Sequence, residues 1–166
     1  MPNVRSSSAG NFAFFVALLA SALLLGPALA HAFELPNKIG LPREEYFIVQ
    51  KAYRGWNLLA WLLAVQVLAL LAAAISARPE RRVLVFTLLA LACVLTAQGV
   101  FWTFTHPANV ATANWTVSPD NWATLRLRWE FSHVVGAALQ VLGLILLFIA
   151  VLNRGRRHQM RSYYYY

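Results

Sequence analysis

Cysteine is nearly absent. The single Cys93 sits inside an apolar run, so the chain can form no intramolecular disulfide, no cysteine-based zinc site and no c-type haem attachment. Charge is scarce as well, at 12% of residues, and acidic charge is scarcest, with 6 Asp and Glu against 14 Lys and Arg. A soluble globular chain is about a quarter charged and roughly half apolar. Here 60% of residues are apolar and the mean hydropathy is +0.56, which puts the chain in the membrane class. The net charge of +8 does not call for nucleic acid, because long uncharged blocks separate the basic residues instead of gathering them on a polar face.

What is present is four such blocks. Residues 12–32, 56–77, 83–105 and 131–152 each run without a charge other than any on histidine, and each is long enough to cross a ~30 Å hydrocarbon core as a helix. No ten-residue alternating segments suggest a barrel, so the expected fold is all-α, an integral membrane four-helix bundle forming one domain over 1–166. The first block has a competing reading as a cleaved secretory signal. Arg5 precedes the apolar stretch, and the small-residue patterns Ala28-Leu29-Ala30 and Ala30-His31-Ala32 follow Gly26-Pro27. A run that reaches Ala32 favours a retained span.

Basic residues set the orientation. Arg5, Arg78, Arg81, Arg82, Arg154, Arg156, Arg157 and Arg161 fall on one side against the single acid Glu80, whereas six basic residues on the other side meet five acids. The excess marks the cytoplasmic side, so both termini and the tail 153–166 are expected there, and the loops 33–55 and 106–130 outside. The composition, rich in alanine and in arginine over lysine, suggests a bacterial cytoplasmic membrane, with lipid headgroups as the anionic partner. Trp56, Trp102, Trp115, Trp122 and Trp129 then collect at the outer boundary, as an aromatic belt does. Residues 163–166, four tyrosines, read as an interfacial anchor or an appended segment.

Each outer loop is expected to hold a short interfacial helix. One begins at Pro42, with Tyr46, Val49 and Tyr53 on its apolar face. The other begins at Ser118-Pro119-Asp120 and runs on into the fourth span, aligning Trp122, Leu125, Trp129, His133, Gly136 and Gln140 on one inward face. Pro107 is expected to help end the third span just after His106. Gln66, Gln98 and Gln140 read as hydrogen-bonding glue between helices, and Gly136 and Gly143 as points of close helix approach.

Ionisable groups at one membrane boundary are functional suspects. His31 with Glu34, His106, and Glu130 with His133 lie at similar depth, whereas His158 falls in the tail. Glu130 and His133 share the Glu-x-x-His spacing of di-metal bundles, and His31 and Glu34 reverse it. A metal site on His31, Glu34, His106, Glu130 and His133 is one reading, and a b-type haem between two histidines another. The structural reading pairs Arg126 with Glu130 at i,i+4.

The segments HAFELPNK at 31–38, PREEY at 42–46, HPANVATANWT at 106–116 and WEFSH at 129–133 resemble a family of four-span membrane proteins, mostly of unassigned function, that includes the anthrone oxygenases. The family's asparagine-bearing segment after the third span maps onto Asn109 or Asn114. Its tryptophan followed four residues later by histidine maps onto Trp129 and His133. Where the family carries an arginine a few residues beyond that histidine, this chain has Val134, Val135 and Gly136. The resemblance implies oxidation of a phenolic tricycle by dioxygen with no tightly bound cofactor. In that reading His133 is the base, Glu130 orients it and His106 assists, while Asn109, Asn114, Trp129 and Trp102 bind the flat substrate. The expected function is thus a membrane oxidoreductase acting on a hydrophobic aromatic or quinone-like molecule. The alternative is a non-catalytic subunit docked to other membrane proteins.

Overall fold

The computed structural model of the chain describes residues 8–162. Arg5 and the tyrosines 163–166 lie outside the described residues, as do the side chains of Arg156, Arg157, His158 and Arg161. Among the described residues every regular element is helical. Helix α1 is Ser8–Lys38, α2 is Arg43–Val49, α3 is Leu59–Ser76, α4 is Arg81–Val100, α5 is His106–Ala111 and α6 is Trp122–Ser162. Four helical stretches are long and apolar enough to cross a membrane: Ser8–Lys38, Trp56–Ser76, Arg81–Ala111 and Trp122–Arg154.

These stretches pack in a ring. α1 lies against α3 and α6, and α4 lies against α3 and α6. The registers are antiparallel, since His31 of α1 meets His133 near the start of α6, while Arg154 near its other end covers the Phe14 ring at 4.2 Å. With no hydrophobic force between helices in lipid, close contact rests on small residues. Ala17, Ala20, Ala69, Ala73, Ala90, Ala97, Ala137 and Ala150 supply the buried seams. A Cβ at Gly143 would stand 3.4 Å from the Ala90 carbonyl and the Cys93 Cβ, so this glycine is where α6 meets α4. Gly136 behaves otherwise than expected: nothing lies within 4 Å of a Cβ there, because it borders a cavity and not a helix. Large side chains such as Phe12, Leu68, Phe148 and Leu152 stay exposed on the outside of the ring, which suits contact with lipid.

Glutamine ties the seams together in mid-bundle. The Gln66 amide donates to both Gln140 Oε1 and Ser21 Oγ at 3.0 Å, linking α3, α6 and α1. Gln98 does not join this clasp and lines the cavity.

The helix ends depart from expectation in three places. α1 runs to Lys38, past Ala32, because polar Glu34 and Lys38 continue its last turns by pairing with each other. The third span passes through Pro107 to Ala111. A π-wound turn, Phe101–Thr105, precedes that proline, and the His106 N–H bonds back five residues to the Phe101 carbonyl. The wider winding carries the helix up to a residue that has no N–H of its own to give. Finally, α6 starts at Trp122 and not at Ser118, after a single turn closed by the Trp122 N–H on the Pro119 carbonyl. The helix within the second loop is α5, which continues the third span, and α5 and α6 are joined by an irregular turn. That turn folds through Ala113, Asn114 and Trp115, three consecutive residues at positive φ, closed by a 2.7 Å bond from the Asn114 N–H to the Asn109 carbonyl. The first loop does carry its helix, α2, followed by a 3₁₀ turn over Gln50–Tyr53 and by Gly55 at φ +85°.

Candidate functional site

The end of the bundle that carries these two loops holds an open cavity of about 780 Å³. All four membrane-length stretches contribute to its wall: His31 from the first, Trp56 from the second, Thr105 from the third and His133 from the fourth. The inward face read from the sequence of α6 is largely real, with Trp129, His133, Gly136 and Gln140 all on the cavity.

Two histidines meet there. The His31 and His133 rings lie 4.2 Å apart, centroid to centroid. His31 is buried among aromatic rings, with Tyr53 at 4.5 Å and Trp56 and Trp129 at 5.0 Å. Its Nδ1 has no hydrogen-bond partner. His133 stacks on Trp129 at 4.1 Å and sets its Nδ1 2.8 Å from the Trp129 carbonyl. A carbonyl can only accept, so Nδ1 carries the proton and the neutral ring keeps its lone pair on Nε2. The orienting group is thus main chain four residues back, not the expected Glu130. Asn109 fixes the tryptophan in turn, accepting at Oδ1 from Trp129 Nε1 at 2.9 Å and from Trp115 Nε1 at 3.3 Å.

Glu130 does something else. It is fully buried, accepts from the Tyr46 hydroxyl at 2.9 Å and lies 3.4 Å from the Lys38 ammonium. Lys38, itself 3% exposed, also faces Glu34 at 3.3 Å and donates to the Tyr53 hydroxyl at 2.6 Å. The Tyr53 hydroxyl donates to Glu34, and Gln50 donates to the Tyr46 hydroxyl at 2.6 Å. One lysine therefore bridges two carboxyl groups and pins α2 and its 3₁₀ turn to α1 and α6. Arg126 does not pair with Glu130 as expected. It donates to the Leu41 carbonyl at 2.7 Å and lies over the Trp122 ring. Burial pushes the Tyr46 and Tyr53 phenols above their ordinary value, with Glu130 adding to the shift at Tyr46 and Glu34 at Tyr53.

The expected five-residue metal set does not assemble. Among the described residues no three His, Cys, Asp or Glu side chains converge to hold a metal ion. Glu34 and Glu130 are engaged by Lys38, and His106 packs at 4.7 Å on Trp102, off the cavity wall. From this span Ala97, Gln98, Phe101, Trp102, Thr105 and Asn109 line the cavity, and His106 does not. Trp102, Asn109 and Asn114, expected to bind substrate, all line the cavity.

Lys38, Gln50, Tyr53 and Trp115 were not among the expected site residues. The i,i+4 spacing of Glu34 with Lys38 and of Tyr46 with Gln50 was the signal available for two of them. Compared with protein-family profiles, curated proteins and solved structures, the chain matches none.

Proposed function

We propose that the chain is a membrane oxidoreductase that removes a proton from a hydrophobic phenolic or quinone-related ring and delivers the resulting anion to dioxygen. The observation that carries this reading is the His31–His133 pair in an aromatic cavity, with the His133 lone pair fixed on Nε2 by the Trp129 carbonyl. A neutral imidazole with a free lone pair on Nε2 is a general base for a phenolic or benzylic proton. The anion gives its electrons to dioxygen: a hydroquinone leaves as the quinone with hydrogen peroxide, and an anthrone anion adds dioxygen at its benzylic carbon to form a hydroperoxide that loses water to the new carbonyl. Trp129 and Trp56 contribute aromatic surface to the cavity, while Asn109 and Asn114 stand at its wall for the ring's oxygens. The resemblance to the anthrone oxygenases supports the same assignment. The Arg78, Arg81 and Arg82 cluster supports placing both termini in the cytoplasm, which puts the cavity at the outer face of a bacterial membrane.

The test is dioxygen uptake by the purified protein in detergent with anthrone as substrate. Turnover is expected in the wild type and a loss of about 100-fold or more in His133→Ala, the range for removing a general base, with helical content unchanged. Equal turnover in the two proteins would overturn the assignment. Lost co-purification of other membrane proteins in the same variant would favour the non-catalytic subunit.

A further inference from the structure

The cavity extends further than a ring requires. Its wall runs from His31 back to Leu24, from Trp56 on to Leu63 and from His133 on to Gln140. Each interval is seven residues, so the cavity reaches about 10 Å down the bundle axis at 1.5 Å per residue. Chemistry changes along that length. The histidines, Tyr53, Asn109 and Asn114 stand at the loop end, while the deeper wall is Leu24, Pro27, Ala28, Leu63, Ala97 and Ala137, relieved by the Gln98 and Gln140 amides. Gly136 leaves its own wall position open. Immediately below, the Gln66 bonds to Gln140 and Ser21 tie three helices together.

We infer that the occupant is an amphiphile: a hydroxylated or carbonyl-bearing ring held at the histidines, joined to an alkyl or isoprenoid chain that occupies the deeper arm. This deepens the oxidoreductase reading and rests on it, since the ring end is the same site. The bilayer is the phase from which such a molecule comes, and transfer of its chain from lipid to the arm exchanges one apolar surrounding for another. The arm therefore selects by shape and position more than by affinity.

The experiment uses two photoactivatable hydroquinones on the full chain in detergent, followed by peptide mapping. One carries a diazirine on the ring and no chain; the other carries it at the end of a five-carbon chain. The ring probe is expected to label the neighbourhood of His31, Tyr53 and Trp129. The chain probe is expected to label Leu24 to Ala28 and Ala137 to Gln140. Gly136→Leu, which places a side chain in open space, is expected to cut the deep labelling at least tenfold and spare the ring labelling. If the chain probe marks only lipid-facing positions such as Phe148 and Leu152 while the ring probe still marks the cavity, the amphiphile is wrong and the ring site stands. If the ring probe leaves the cavity unmarked, both fall.

Discussion

At the scale of single residues, the site and its support use charge in opposite ways. His31 and His133 are held among rings and a carbonyl, whereas Lys38, Glu34 and Glu130 set their charges against one another. Removing one member of a buried pair leaves the other uncompensated, at a cost of about 3–5 kcal/mol. Lys38→Met is therefore expected to lower stability by that order, and Lys38→Met with Glu130→Gln to recover most of it, as read by unfolding in mixed micelles. The tyrosines give a pH signature. Because folding raises the Tyr46 and Tyr53 phenols above 10.0, their contribution is fully present below pH 10 and is lost as pH climbs from there toward the folded values. Melting temperature is expected to hold level to about pH 10 and then fall, and the fall is expected to shrink in Tyr46→Phe with Tyr53→Phe. Of this scale the sequence exposes the histidines and Glu130 as suspects, but not their partners. A Glu-x-x-His spacing states that two side chains share a face, and Ser132 and Trp129 share it too. Which neighbour arrives from α1 or α2 is a tertiary fact, and Lys38 arrives from a turn the apolar run does not mark.

At the scale of elements, two glycines and one loop carry the argument. Gly143 lies in the α4–α6 seam and Gly136 on open space. Gly143→Leu is expected to cost about 1–3 kcal/mol by forcing the helices apart, whereas Gly136→Ala, which meets open space in mid-helix, is expected to stabilise by about 0.5–1 kcal/mol. In the second loop, each non-glycine residue in the left-handed region carries a strain of about 1–2 kcal/mol. Ala113 sits at φ +47° in that region, so Ala113→Gly is expected to stabilise by up to about 1 kcal/mol after glycine's own entropy is counted. Trp115 holds the turn against that strain, its ring buried against Tyr46 and Trp129. The centres of all four spans were legible because hydrocarbon thickness imposes a length that composition displays directly. Their ends were not. α1 continues through charged residues that satisfy each other, and the π turn lets the third span continue through Pro107. Neither device leaves a mark in an apolar run.

At the scale of the molecule, small residues pull the helices together in the half that carries Gln66 and Gly143, and aromatic and polar residues hold them around a cavity in the other. Reporter fusions after Arg82 are expected to read as cytoplasmic and those after Gly40 as external, which would put the cavity mouth outside. The central claim is that His31 and His133 act as one unit on a bound ring, and dioxygen uptake with anthrone in His31→Ala, His133→Ala and the double variant tests it most directly. Groups that act as a unit lose their joint effect when either is removed. The double variant is therefore expected to be no slower than the slower single variant. Losses that multiply, or single variants as fast as the wild type, would contradict the account.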